Sequence, residues 1–516
     1  MRNSKWMRLL AILFAFALIA AACGDDDDDG ATDGESVLGG EEEEAPAEEP
    51  EEEAPADEPE EEEEAPADEP EEVAPADEPE EEMTSEGTVS DAANGFGAEY
   101  WESTIDNPPG PADESLEPVV ITMSNLEGSP AGSFPEIREG AEAAERTVNE
   151  ELGGINGRPI ELEVCVHGLD PAEATNCANE VADANPNFHI QGIDFFNSLQ
   201  WPVYVGAGIP VLQTVPIFVS DFNTPGLLST EGGCVSAFPG MVQYAIEDLE
   251  ADAFAIVHSD TGPGLECFAD TQARFYDQLE DETGSFRWQG FPDASGDPTD
   301  NDAIVQNIIE FFEGATNPGV FFGIQASDCN EILSALAGAG VAATLVASGS
   351  CRDDSVLSNP ASAGVHFGGT DTIFDRPDLW SPYETKYNEF REASLDARPN
   401  QDAPKSSFME VAHDVTLTAW LHMNMMAEAG GDIDDGAAVL DYFTTLEPFF
   451  RPGLVKPMDC STNGEEFVSV CQKSSNYFVW SGPDGQFEFG PAGTDGVDAT
   501  DLLARTAVGN PRQAAE

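Results

Sequence analysis

Gly153-Gly154-Ile155-Asn156-Gly157-Arg158-Pro159-Ile160-Glu161-Leu162 separates two kinds of chain. Before it, Phe134–Leu152 reads as a helix; after it, Ile160–Val166 reads as a strand. Glycine reaches positive φ without steric cost, so Gly153, Gly154 and Gly157 suit a place where a helix stops and a strand begins. A second punctuation mark follows. Asp170 before Pro171 is an N-cap next to the residue best suited to a first helical turn, opening a helix over Pro171–Ala184.

Outward from this turn, short apolar strands alternate with helices. Strands are expected at Val119–Met123, Phe188–Gln191 and Pro210–Leu212. A second series begins after Phe238, with helices at Met241–Leu249, Leu265–Leu279, Ala303–Phe312 and Asp328–Ala339. Its strands are expected at Ala253–His258, Phe286–Gly290, Gly319–Gly323 and Thr344–Ala347. Such alternation implies parallel sheets wrapped by helices. The folded part runs from about Glu117 to Val508, longer than one core normally holds, so two α/β lobes are expected.

Four segments resemble the type I periplasmic-binding proteins, in their branched-chain amino-acid (leucine/isoleucine/valine) branch. The Gly153–Leu162 stretch resembles the family's turn into its second strand. Asp170-Pro171-Ala172-Glu173-Ala174 resembles its next helix start, His258 through Leu265 a glycine-containing turn, and Ala412-His413-Asp414 a helix near the C-terminal part. The likeness spans roughly residues 118–490. It implies two lobes crossed by three chain segments, here near Phe238, His366–Thr372 and Pro452. The first lobe would hold residues 117–237 and about 370–452. The second would hold 238–369 and about 453–490, followed by a tail at 491–516. Ligand would lie between the lobes and be held by loops at the carboxyl ends of strands.

The same resemblance nominates contacts. Asn197 and Ser198 stand where the family has a serine or threonine pair. Thr224 before Pro225 matches a family threonine, with Thr214 as rival because Val215–Phe222 reads as an insertion. Thr261 takes a tyrosine's place, and Gln325 and Ser348 end strands of the second lobe. Phe195, Phe196, Trp201 and Phe222 are candidates for an apolar wall. Relatives that bind aliphatic amino acids place an acid in the loop read here as Ala347-Ser348-Gly349-Ser350. This chain has none there, although Asp353 and Asp354 follow. An amide, a carboxylate or a short apolar solute therefore stands beside an amino acid as candidate ligand.

The N-terminus reads as an export signal. Arg2, Lys5 and Arg8 precede an apolar run from Leu9 to Ala22, shorter than the roughly 20 residues a spanning helix needs. Leu18-Ile19-Ala20-Ala21-Ala22-Cys23 resembles a bacterial lipobox, which implies lipid transfer to Cys23 after removal of residues 1–22. The expected location is extracytoplasmic, lipid-anchored to the cell membrane without insertion. Residues 23–100 read as a tether: repeats of Ala-Pro-Ala-(Asp/Glu)-Glu-Pro start at Ala45, Ala54, Ala65 and Ala74. Proline and like-charge repulsion leave nothing to bury there. The five aspartates from Asp25 lack calcium-ligand spacing.

The net charge is −83, and residues 24–90 hold 33 of the 102 acids with no Lys or Arg. A field of that sign repels nucleic acid and anionic lipid. Eight cysteines remain besides Cys23, an even number in an exported chain, which favours disulfides. Pairing of sequence neighbours is favoured by loop length: Cys165 with Cys177, Cys234 with Cys267, Cys329 with Cys351, and Cys460 with Cys471. The last pair flanks Thr462-Asn463-Gly464, a turn signal. Zinc competes for cysteines, but no CxxC or paired-histidine spacing occurs, and neither metal nor cofactor is expected.

The expected function is capture of a small solute and its delivery to an ABC importer, by a monomer and without chemistry. A sensing receptor without transport and a structural surface lipoprotein are the alternatives. No G-x-S-x-G or H-E-x-x-H supports an enzyme, and the six histidines are scattered.

Overall fold

The computed structural model describes residues 109–506, apart from 130–131, 261–264, 266, 269–271, 294–297, 325, 370–381, 404, 447–457, 461–466, 484 and 494–495. The signal sequence, Cys23, the acidic repeats, Thr261, Gln325, Pro452 and the Asn463-Gly464 turn lie outside the described residues.

The glycine turn connects α1 (Pro135–Glu150) to β2 (Ile160–His167), which lies parallel to β1 (Val119–Leu126). Gly153, Gly154 and Gly157 have φ of 74°, 72° and 81°, and Asn156 has φ 52°. A Cβ on Gly154 would run into the Arg158 carbonyl, so no other residue fits. Ile155 and Arg158 exchange backbone hydrogen bonds of 2.8 and 2.9 Å. Distant chain completes the turn: Trp420 Nε1 donates to the Gly154 carbonyl at 2.8 Å, and the Asn156 amide donates to Asn424 Oδ1 at 2.7 Å.

Asp170 caps α2 (Pro171–Ala184), accepting from the Ala172 amide at 2.8 Å. Then come β3 (Phe188–Gln191), α3 (Asn197–Ala207), β4 (Val211–Gln213), the short α4 (Val219–Asn223) and β5 (Leu227–Ser229). These five strands form one all-parallel sheet in the order β2-β1-β3-β4-β5. Parallel sheets need cover on both faces, and nearly all of β1 is buried.

The chain leaves this sheet just after Ser229 and enters α5 (Gly233–Glu247), so Phe238 sits inside a helix rather than at a crossing. The second series follows: β6 (Ala253–Ser259), α6 (Ala273–Thr283), β7 (Arg287–Asp293), α7 (Pro298–Phe311), β8 (Pro318–Gly323), α8 (Ala326–Ala339), β9 (Thr344–Ser348) and β10 (His366–Gly369). The chain then returns to cover the first sheet. Residues of α9 (Pro382–Asp396), α10 (Ser407–Glu428) and α11 (Gly436–Thr445) share one core with Ile121, Phe188 and Leu212. Finally β11 (Ser474–Trp480), β12 (Phe487–Phe489) and β13 (Val497–Asp498) extend the second sheet. Its order is β12-β11-β10-β9-β8-β6-β7, with β13 also on β11. The β10–β11 pair is antiparallel and β6 to β10 are parallel.

Four disulfides join sequence neighbours: Cys165–Cys177, Cys234–Cys267, Cys329–Cys351 and Cys460–Cys471. Among the described residues no helix is long and apolar enough to cross a membrane.

Candidate functional site

A cleft of about 660 Å³ lies where the carboxyl ends of strands from both sheets face each other. From the first sheet comes Val215-Pro216-Ile217, just past β4, together with the start of α10 from Lys405 to Val411. From the second come Ser348-Gly349-Ser350 at the end of β9, Phe367-Gly368-Gly369 of β10, and Met241 of α5. Open parallel sheets place ligand sites at such strand ends.

The walls are mainly apolar: Ile217, Met241, Leu357, Phe367, Phe408, Phe478 and Phe487. Charges of both signs are set among them, with Glu231, Asp354 and Glu410 against Arg352 and Lys405. Apolar walls with few placed polar groups are usual for small-molecule pockets. Gly368 is required by its surroundings, because a Cβ there would meet the Met241 methyl and the Tyr477 ring.

Two braces hold these walls. At the start of α10, Ser406 Oγ accepts from the Met409 amide at 3.3 Å, and Lys405 pairs with Glu392 and Asp396 of α9, both at 2.6 Å. Behind that turn Arg391 reaches Glu410 at 3.5 Å and Asp414 at 2.9 Å. Tyr387 donates to the same Asp414 carboxylate. On the other wall, Tyr244 Oη lies 2.8 Å from His366 Nδ1, and the Tyr244 ring stacks on Tyr477 with centroids 4.0 Å apart.

The wall beyond β4 depends on a buried acid. Asp221 Oδ2 accepts the amides of Ile217 (2.8 Å) and Phe218 (2.9 Å), and Oδ1 accepts Trp201 Nε1 (2.9 Å). Burial pushes this carboxyl up to about 6, against the opposing pull of those hydrogen bonds.

Of the residues expected at the site, Ser348 lines the cleft. Its Oγ is 2.5 Å from Ser350 Oγ, which donates in turn to the Ile324 carbonyl at 2.9 Å. Asn197 opens α3, is buried, and helps stabilise the Asp221 charge. Ser198 is exposed on the same helix. Thr224 Oγ1 donates to the Ser220 carbonyl at 2.6 Å, closing the end of α4. Asn197, Ser198 and Thr224 are not among the residues lining the cleft, nor is Thr214, whose hydroxyl donates to the Gln191 carbonyl at 2.9 Å. Phe222 and Trp201 are core residues, and Phe195 packs against the first core.

Serine, histidine and aspartate do meet elsewhere. Ser394 Oγ lies 2.9 Å from His413 Nε2, and Asp414 lies 3.1 Å from His413 Nδ1. All three are at most 1% exposed, and Asp414 is already neutralised by Arg391. A nucleophile needs a substrate path, so this group is a polar core bracing α10. Among the described residues no set of three metal-ligating side chains comes together.

The periplasmic binding protein family matches residues 119–466. The chain belongs to that family. It is thus a solute-binding protein rather than an enzyme, of a family that works outside the cytoplasm. Curated proteins give no match. Many solved structures share the fold. An ABC transporter substrate-binding protein from Sphaerobacter thermophilus is 17% identical at TM-score 0.54, covering 72% of this chain and 96% of that one. An extracellular ligand-binding receptor from Verminephrobacter eiseniae is 16% identical at TM-score 0.54, covering 72% and 100%. The branched-chain amino acid transporter substrate-binding protein LivJ from Streptococcus pneumoniae, in complex with isoleucine, is 13% identical at TM-score 0.50, covering 72% and 100%. Likeness at these identities speaks for the fold.

Proposed function

We propose that this protein captures one small solute, an amino acid or amide, in the cleft and delivers it to an ABC importer. The observation that carries the reading is the composition of the cleft: apolar walls from both sheets with acids and bases set among them. An amino acid needs a partner for its ammonium, because a buried charge left alone costs several kcal/mol. The loop Ala347–Ser350 has no acid, but Asp354 lies just beyond it, and Glu231 and Glu410 approach from other elements. Arg352 and the first turn of α10 offer positive potential for a carboxylate. The two sheet-centred halves act as lobes, one built on β1 to β5 with α9 to α11 and the other on β6 to β13 with α5, and they close on the solute. Closure requires that solute touch both halves more fully in the closed state.

The N-terminal reading belongs to the same proposal. Cys23 carries lipid, and the acidic segment after it spaces the binding body from the membrane. The protein acts as a monomer.

Calorimetric titration with the twenty amino acids and their amides tests the reading. One class of solute should bind at one site, and Phe408→Arg, which fills the cleft with a charged side chain, should abolish it. Binding that survives Phe408→Arg would place the site elsewhere.

A further inference from the structure

Val215–Phe222, between β4 and β5, reads in sequence as an insertion. In the structure it forms the first wall of the cleft and then turns back into α4. Val215, Pro216 and Ile217 line the cleft. Four residues on, Asp221 stands at the third position of α4 and is fully buried.

We propose that Asp221 is the positioning residue of this wall: its carboxylate holds Val215-Pro216-Ile217 in the shape that receives solute. The geometry gives each oxygen a separate task. Oδ2 gathers the Ile217 and Phe218 amides, so the wall's last residue is tied to the acid itself. Oδ1 accepts the indole N–H of Trp201 on α3, which anchors the acid to the first core. The backbone carbonyl of Asp221 accepts from Gln213 Nε2 at 2.7 Å, and that amide also donates to Ser229 Oγ at 2.8 Å, tying β4 and β5 to the same point. Three N–H donors converge on one side chain, and only an ionised carboxylate accepts at both oxygens without offering a hydrogen of its own.

Ordinary helix capping explains the Phe218 bond, since an acid at the third helical position commonly reaches back to the cap amide. It does not explain the bonds to Ile217 and Trp201. The burial of Asp221 raises its pKa to about 6, so the strap is set to loosen in mild acid. A proton on Oδ1 would face the Trp201 N–H, donor against donor. The side chains that meet Asp221 are uncharged: Asn197 and Trp201 from α3 and Ser220 from α4, with Gln213 of β4 and Ser229 of β5 at its backbone. The cleft's own carboxylates, Glu231, Asp354 and Glu410, add their own pH dependence. Only dependence that a change at Asp221 removes therefore counts.

The inference rests on reading the cleft as the solute site, and the test separates the two. The full chain in detergent is titrated with L-leucine and L-leucinamide between pH 5 and 7.5, while amide exchange is followed at Ile217 and Phe218. Asp221→Asn places an NH₂ where one oxygen accepted. It should weaken binding about tenfold at pH 7.5, the equivalent of one lost hydrogen bond to a charged group. It should also speed exchange at both amides and remove the wild-type loss of affinity below pH 6. Trp201→Phe in the same chain takes away the opposing N–H and should restore part of the affinity. Asp221→Asn with wild-type affinity and an unchanged pH profile overturns the inference while leaving the cleft reading intact, provided Phe408→Arg still abolishes binding. Failure of Phe408→Arg to change affinity overturns both. Should Asp221→Asn not fold, Trp201→Phe alone decides: the carboxylate loses one donor, so the Ile217 and Phe218 amides should exchange faster and the loss of affinity should begin at higher pH, and an unchanged pH profile overturns the inference.

Discussion

The two sides of the cleft are braced by different chemistry. Behind α10 the brace is ionic: Arg391, Asp414 and Glu410, with Tyr387 and His413 on the same carboxylate. Behind β10 it is neutral: Tyr244 and Tyr477 stacked, with His366 bonded to one phenol. Burial holds His366 down to about 4, and it pushes Tyr244 and Tyr477 above the ordinary phenol range. None of the three is charged near neutrality. The difference teaches how each wall fails. An ionic brace that loses one member leaves a buried charge uncompensated. A neutral brace that loses the Tyr244 hydroxyl loses a single hydrogen bond and keeps its stacking.

The largest expected effect follows from that asymmetry. Arg391→Met should destabilise the protein by about 3–5 kcal/mol, because Asp414 is 1% exposed and loses the guanidinium that pairs with it at 2.9 Å. Adding Asp414→Leu should recover part of the loss, since an apolar replacement removes the stranded charge. Urea unfolding of the single and double variants checks this. A double variant less stable than Arg391→Met alone would break the contrast between the two braces.

Much of the architecture was readable in the sequence, and the reasons are local. Gly153, Gly154 and Gly157 adopt the positive φ that their turn demanded, and Asp170 caps the helix that Pro171 starts. Strands such as Phe188–Gln191 stand where the apolar run placed them. The cleft was less legible, because its walls are fixed by bonds across long stretches of chain. Ser348 ends a parallel strand, and that position alone puts it in the lining of the cleft. Asn197 also follows a strand end, yet it belongs to the surroundings of Asp221, twenty-four residues on. Lys405-Ser406-Ser407 carries an N-cap signal in Ser406 before a long helix, but nothing local says that this turn faces the second sheet. Nor does periodicity reveal that α9, α10 and α11 return to the first core after the second sheet is largely built.

The neutral brace makes the next two predictions. The unfolded chain takes up a proton at His366 near 6.5, and the folded chain resists it down to about 4. The folded state therefore binds fewer protons between those values, and stability is present above pH 6.5 and lost as pH falls toward 4. His189, His258 and His422 act in the same direction. His366→Gln should accordingly reduce the loss between pH 7.5 and 4.5 by a share of about 1–2 kcal/mol, discounted because His366 is only partly buried. Thermal melts across that range read it, and an unchanged slope would refute the neutral assignment. At pH 7.5, Tyr244→Phe should cost about 1 kcal/mol, one neutral hydrogen bond with stacking retained. A cost as large as that of Arg391→Met would erase the distinction drawn between the two walls.

The smallest effect on stability concerns the residue that touches the cleft without belonging to either brace. Ser348 is 5% exposed, and its hydroxyl meets that of Ser350. Ser350 keeps its bond to the Ile324 carbonyl whether or not Ser348 is present. Ser348→Ala should therefore change stability by less than about 0.5 kcal/mol. Its effect on solute binding separates two roles. A hydroxyl that faces solute contributes one hydrogen bond, so affinity should fall about two- to tenfold with an unchanged melting temperature. A hydroxyl that only orients Ser350 would leave affinity as it was. Ser198→Ala supplies the control, because Ser198 is exposed on α3 and does not line the cleft. The two serines stood together as contacts on sequence grounds, and the structure separates them by surroundings. Equal loss of affinity in both variants would mean that solute reaches beyond the cleft toward α3. Loss in Ser348→Ala alone would fix the end of β9 as a contact surface and leave the first sheet's contribution to the wall that Asp221 holds.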